Sequence, residues 1–226
     1  MQSLYQLSCD DYAQGMHKHR KGSIPLGIRD EFVAVSDHIA YFWETDAEFA
    51  EAVAFLEYGL HGNDSCVVFG HEKANSKVLA ILESHGCDTK DLGNKGRLVV
   101  LSGKPSGHDM LSEIGGAFQK AVDRGAGLVR LIGNIAWGHE GWPTELDILE
   151  FEARVTSACK NFPCVVVCMY DVRQLSGRIM VHGAYETHPL TVCGNVLREN
   201  PHSVPIDDFL ARLDRLRARA DEEPAA

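Results

Sequence analysis

The sequence predicts an α/β protein, a three-layer α/β/α sandwich with a mostly parallel central sheet, and two observations predict it. Short β-rich apolar runs alternate with amphipathic helical patterns along the chain. Apart from Arg130 the runs are apolar, as strands covered on both faces are, and do not alternate with polar residues. With 226 residues, 45% of them hydrophobic, the chain can bury a core large enough for one such domain.

The strand runs are Ile39 to Trp43, Cys66 to Phe69, Leu98 to Leu101, Leu128 to Ile132 and Cys164 to Met169. The first helix starts near Asp46 on a capping-box sequence, Thr45 to Glu48, carries Phe49, Val53, Leu56 and Leu60 on one face, and stops at Gly62. The second spans about Asn75 to His85 with Val78, Leu79 and Leu82 apolar, and the third about Asp109 to Asp123 with Leu111, Ile114 and Phe118. The fourth opens at Pro143-Thr144 on a second box, Thr144 to Asp147, and runs to about Cys159. After Asp171 two short runs, Arg178 to His182 and Leu190 to Val196, read as antiparallel strands at the C-terminal end of the sheet, and Ile206 to about Ala220 as a last helix. Residues 1–35 read as an N-terminal arm, 36–210 as the domain proper, and 211–226 as a helix end and frayed tail. The basic cluster His17 to Lys21 reads as a solvated surface.

Composition excludes several function classes. A net charge of -10 argues against direct nucleic-acid binding and against an anionic membrane surface, since both rest on clustered Lys and Arg. The first residues are too polar and acidic for a secretory signal, and no apolar run approaches the roughly 18 to 20 residues of a membrane span. A cytoplasmic protein is expected. Seven cysteines without a CxxC pair fit reduced thiols better than a disulfide framework.

The turn after the first strand is the place where a nucleotide-binding α/β protein carries its phosphate loop. Here Glu44, Thr45 and Asp46 stand in place of glycines and a lysine, and two of those side chains repel phosphate. Gly103-Lys104-Pro105 lacks the upstream glycine and puts proline where a magnesium-binding hydroxyl belongs. No catalytic motif for hydrolysis or hydride transfer occurs, and no enzyme is expected.

In an open parallel sheet, ligands bind beyond the carboxyl ends of the strands. That rule selects Trp43-Glu44, His71, Asn134, Trp137, Tyr170 and Asp171, a mixture of aromatic and polar groups suited to a small amphipathic molecule. Each indole alone also reads as a packing residue. His38 shares a strand face with Ala40 and Phe42, and taken alone it reads as a hydrogen-bonded core group. His182, His188 and Cys193 match no standard zinc spacing, so no metal site is assigned. Cys164 and Cys168, four residues apart on a strand, lie about 13 Å from each other and cannot pair. Cys168 reads as a buried thiol that could line the crevice.

The order His38-x-x-x-Phe42-x-Glu44, then FLEYGLHGNDSCVVFGHE, GLVRLIGNIAW, CVVVCMYD and THPLTVCGNVLRENPHSVPIDDFL, resembles the MEDS domain, a sensory domain of methanogens and methylotrophs. The resemblance runs from about Ser36 to Leu210. It implies a RecA/KaiC-like fold with the phosphate loop lost, and a non-enzymatic sensor of small organic molecules such as hydrocarbon derivatives. Taken with the strand-end residues above, the expected ligand contacts are His38, Phe42, Trp43, Glu44, His71, Asn134, Trp137, Cys168, Tyr170, Asp171 and His188. Asn134 departs from the family pattern, which favours an acidic residue there. The expected partners are a small organic ligand, a separate kinase or transcription regulator, and a second copy of the chain in a homo-oligomer. The cofactor is unknown. The alternative is a degenerate ATPase-like enzyme or an interaction scaffold without a ligand.

Overall fold

The computed structural model describes residues 24–222, with side chains to residue 218. The basic cluster His17 to Lys21 and the last four residues lie outside the described residues.

Strands β1 (Ile24–Pro25) and β2 (Phe32–Val33) form a small antiparallel pair. The central sheet holds β3 (His38–Trp43), β4 (Ser65–Gly70), β5 (Leu98–Ser102), β6 (Val129–Asn134), β7 (Cys164–Asp171), β8 (Leu190–Cys193) and β9 (Val196–Glu199), in the order β5-β4-β6-β7-β3-β8-β9. Every pairing is parallel except β8 with β9.

The helices are α1 (Asp46–His61), α2 (Glu72–Ser84), α3 (Thr89–Asn94), α4 (Gly107–Asp123), α5 (Glu145–Ala158), the single turn α6 (Gly177–Ile179) and α7 (Ile206–Glu222). Their placement follows from strand order. The connections β3 to β4 and β4 to β5 step one way across the sheet, whereas β5 to β6 and β6 to β7 step the other way. Right-handed crossovers then put α1 and α2 on one face and α4 and α5 on the opposite face. The core divides accordingly. Phe49, Val53, Leu56, Val78 and Leu82 pack with Ile39, Tyr41, Val165 and Val167. Ile114, Phe118, Ile148, Phe151, Phe209 and Leu213 pack with Ala40, Phe42, Val166 and Tyr170. The three layers and the mostly parallel sheet are as the sequence predicts.

The first turn of α1 confirms the capping box. Thr45 accepts from the Glu48 amide at 3.2 Å, while the Glu48 carboxylate accepts from the amides of Thr45 at 3.0 Å and Glu44 at 2.9 Å. A helix start that would otherwise hold phosphate is filled by the chain's own carboxylate. At α5, Thr144 accepts from the Asp147 amide, but Asp147 is a methylene short and takes the Thr144 hydroxyl at 2.6 Å instead of closing the box.

Two expectations are corrected. Arg178 to His182 is helical, not a strand: Ser176 caps α6 by accepting from the Ile179 amide at 3.2 Å, and a π-helical segment, Met180–Tyr185, continues it. A short apolar run does not separate helix from strand by periodicity. The strand β8 joins β3 in parallel, so only β9 is antiparallel. The sequence reading also passed over α3, capped by Asp88 through the Asp91 amide at 2.8 Å, and the β1-β2 pair.

Residues 24–33 are tied to the core by Arg130, which is 1% exposed. Its guanidinium donates to Asp64 at 2.7 Å and to the carbonyls of Leu26 and Pro25, each at 2.9 Å. Gly27, at φ +85°, leaves no room for a side chain, because a Cβ there would stand 2.6 Å from that of Tyr58. Arg130→Ala is expected to cost about 3–5 kcal/mol, because buried carbonyls and Asp64 lose their donor. Urea unfolding will show a lower midpoint, and amides of residues 24–33 will exchange faster than in the wild type.

Candidate functional site

Strand register builds the site. In β3 and β7 alternate side chains face α5, which puts His38, Ala40 and Phe42 beside Val166, Cys168 and Tyr170, with Ala40 opposite Cys168 and Phe42 opposite Tyr170. His188 arrives from the segment just before β8, which pairs with β3 at Ile39 and Leu190. Glu152 comes down from α5. All four of His38, Glu152, Cys168 and His188 are buried.

The His38 Nε2 lies 3.2 Å from Cys168 Sγ and 3.6 Å from Glu152 Oε2. Cys168 Sγ is 3.6 Å from Glu152 Oε2, and His188 Nε2 is 3.7 Å from the same oxygen. Donor atoms of the four side chains all lie within 4.8 Å of one another. Second partners orient the rings. Thr156 donates to the Thr187 carbonyl at 2.7 Å, so its oxygen accepts the Nδ1 proton of His38 at 2.8 Å. His188 donates its Nδ1 proton to the Ala184 carbonyl at 3.0 Å. Both Nε2 lone pairs therefore point at Glu152 and Cys168, and His188 Nε2 is buried without a hydrogen-bond partner.

Burial decides the charges. It pushes the Glu152 carboxyl up to about 8 and the His188 imidazole down to about 3. His38 is lowered by burial and then by the neighbouring His188, and the Cys168 thiol is raised by burial and then by Glu152. The two His–Glu contacts are therefore not ion pairs. The Tyr170 hydroxyl donates to the acceptor pair formed by Glu152 Oε1 at 3.0 Å and the Gly183 carbonyl at 2.7 Å. Its ring meets that of His188 edge-on, and Phe42 and Trp137 lie against it at 5.9 and 6.5 Å.

An apolar slot opens between α4, α5 and the sheet, with Cys168 among its lining residues. Leu111, Ile114 and Phe118 of α4 face Phe151 and Val155 of α5, with Gly133 and Val166 on the floor. The slot holds about 40 Å³, room for about three water-sized groups. Gly115 in α4 and Gly133 in β6 line it without adding a side chain. A Cβ at Gly115 would meet nothing within 4 Å, and one at Gly133 would stand 3.6 Å from Cys168 Sγ.

Of the residues expected around a ligand, His38, Phe42, Trp137, Cys168, Tyr170 and His188 come together on this one face. The others do not join them. Trp43 packs edge-on against Phe49 at 5.0 Å with Arg173 above it, Glu44 is exposed, and Asp171 pairs with Arg173 at 2.9 Å. His71 caps α2 by accepting from the Ala74 amide and stacks on His139. Asn134 and Trp137 each bury a side-chain N–H without a partner, and Asn75 buries such an oxygen. The considered trio of His182, His188 and Cys193 does not assemble, since His182 pairs with Glu186 at 2.7 Å and Cys193 is exposed.

Sequence reasoning missed Glu152. The signal was present: Glu152 falls four residues after Ile148 and three before Val155, within the apolar stripe of α5. Tyr170→Phe is expected to cost about 1–3 kcal/mol, because it strips a donor from the buried Glu152 carboxyl. Denaturant unfolding measures the loss, and near-ultraviolet circular dichroism will show whether the aromatic face loosens with it.

The family model of the methanogen/methylotroph, DcmR sensory domain (MEDS) matches residues 37–189. The transcriptional repressor DcmR of Methylorubrum extorquens (strain DSM 6343 / CIP 106787 / DM4) is 26% identical over 148 residues, which cover 65% of this chain and 56% of the repressor. The chain thus spans little more than half the length of that relative. No helix among the described residues is long and apolar enough to cross a membrane. With its model matched over well above half the sequence, and with the loop-less β3–α1 turn and the His38 strand inside the match, this chain belongs to the MEDS family of sensory domains.

Proposed function

We propose that this chain is a non-enzymatic sensor whose slot takes a small, largely apolar organic molecule and whose response is read by a separate kinase or transcription regulator. The observation that carries the reading is the slot itself, an almost wholly apolar cavity with Cys168 in its lining. Of the residues expected at a ligand site, Cys168 is the one that lines it. Apolar walls reward burial of carbon or halogen surface by about 25 cal/mol per Å² and discriminate by size. The name of the repressor relative supports a transcriptional output.

The chemistry of the face supports sensing over catalysis. Its carboxyl, thiol and imidazoles are kept neutral by burial, and a general acid or base must reach substrate and exchange protons with solvent. Against an ATPase stands the first turn of α1, already occupied by Glu48. Binding between α4 and α5 shifts whatever equilibrium exists between a closed and an opened slot, by the difference in ligand affinity for the two.

The test is a thermal-shift panel of one- to four-carbon halides, alcohols and thioethers on the wild type, Gly115→Leu and Gly133→Ala. A compound at a hundred times its Kd stabilises by about 2.7 kcal/mol, which raises Tm by roughly 5–10 °C for a chain of this size. The wild type is expected to respond and both glycine variants to lose the response while keeping their own fold. A panel without response, or glycine variants that respond as the wild type does, would favour a scaffold without a ligand.

A further inference from the structure

Four buried donors on four separate elements converge on one point, and both imidazoles spend their Nδ1 hydrogens away from it. His38 comes from β3, Glu152 from α5, Cys168 from β7, and His188 from the segment before β8. We propose that His38 Nε2, Glu152 Oε2, Cys168 Sγ and His188 Nε2 form a tetrahedral site for a zinc-class divalent cation. The site goes beyond the sensor reading and stands whether or not the slot takes a ligand.

Distances support the geometry. Bond lengths of about 2.0 Å to nitrogen and oxygen and about 2.3 Å to sulfur give tetrahedral edges of about 3.3 Å for N–O and about 3.6 Å for N–S or O–S. Four edges are seen here at 3.2, 3.6, 3.6 and 3.7 Å. The remaining two are no longer than 4.8 Å.

Orientation supports it independently. A histidine that binds metal through Nε2 normally spends its Nδ1 proton on an outer acceptor, which holds the ring in place. Both rings do so, His38 on Thr156 and His188 on the Ala184 carbonyl. Tyr170 braces the other oxygen of Glu152. The His188 Nε2, fully buried and without a hydrogen-bond partner, gains a partner only if something electron-poor sits among the four.

The donor set selects the ion. Two imidazoles and a thiolate favour zinc-class metals over magnesium or calcium, which take oxygen. Metal entry releases the Cys168 and Glu152 protons, and the resulting thiolate and carboxylate carry two negative charges, which a dication cancels. Four protein donors fill a tetrahedral shell and leave no open position, the pattern of a metal that holds structure in place.

Because the donors are buried, metal is supplied during refolding. The whole chain is unfolded with chelator present, exchanged into buffer containing Co²⁺ or Zn²⁺, refolded and weighed by native mass spectrometry. One metal ion per chain is expected, with thiolate-to-cobalt charge-transfer absorption in the Co²⁺ form. Cys168→Ser should abolish that absorption and weaken binding at least tenfold, whereas Cys193→Ser, at the exposed cysteine, should change neither. Thr156→Ala keeps every donor and is the variant to use if Cys168→Ser fails to fold; it should weaken binding about 10- to 100-fold. A wild-type chain that refolds without stoichiometric metal overturns the site. So does metal retained with unchanged affinity in both Cys168→Ser and Thr156→Ala.

Discussion

The structure depends on the insertion of β3 between β7 and β8. The first strand of the sheet takes its place between strands that begin more than a hundred residues later in the chain, Cys164–Asp171 on one side and Leu190–Cys193 on the other. Its six residues are all apolar or aromatic apart from His38, and five of them are buried. Until β7 and β8 exist, β3 has no edge to pair with, so both cores and the buried polar face wait on the most non-local contacts of the fold. Such contacts carry a high loop-closure cost and are rewarded late. The Arg130 guanidinium, which ties the carbonyls of residues 25 and 26 to β6, secures the chain just ahead of β3 and shortens the free segment that must find its slot in the sheet.

That insertion also explains why polar groups can be buried where they are. A sheet covered on both faces has apolar positions at every residue, and each polar atom placed there must find a partner within its own neighbourhood. The polar groups under α5 partner one another. Thr156, Thr187 and the carbonyls of residues 183, 184 and 187 absorb the outward hydrogens, the Cys168 thiol turns to Glu152, and His188 Nε2 alone of these is left without a partner. The π-helical segment makes this possible. Gly183 and Ala184 stand in its last turn, where carbonyls have no helical partner, and they accept from Tyr170 and His188. Gly183 itself sits where a Cβ would be 2.9 Å from the Trp137 ring. Local backbone irregularity and buried polarity are two aspects of one device.

What was legible in the sequence follows the same division. Strand and helix identities were legible in the core, because the runs from Cys66 to Phe69 and Cys164 to Met169 are too apolar and β-branched for anything but covered strands, and because Thr45 and Glu48 announce α1 by a local motif. The membership of one face was legible too: alternation along β3 puts His38 with Phe42. The site as a unit was not. His38 and Cys168 are adjacent only through strand order, and no local pattern encodes that β3 lies beside β7. Glu152 was legible only in hindsight, as a carboxylate on an apolar stripe. The π-helical segment misled because Ile179, Met180 and Val181 form an apolar run whose helical register is set by Ser176 and by packing on Trp137. The carboxyl-end rule located Trp137 and Tyr170, which join the enclosed face, and also His71 and Asn134, which bond to each other through the His71 amide and the Asn134 carbonyl at 3.3 Å, while His38 and Cys168 further back along the strands lay beyond its reach.

Helix α5 contributes side chains to the slot, the polar face and the outer surface at once. On one side its Phe151 and Val155 wall the slot; on the sheet side its Glu152 enters the four-residue cluster; on the outer side its Glu150 and the preceding Asp147 hold Arg217 of α7, each at 2.7 Å. A rigid helix cannot move one of these contacts without moving the others, since they lie within two turns of one another. The exposed ion pairs to α7 are individually weak, whereas the buried cluster is costly to disturb. Contacts of α5 on the sheet side are therefore costlier to break than its ion pairs to α7, and the buried face is what holds α5 in register.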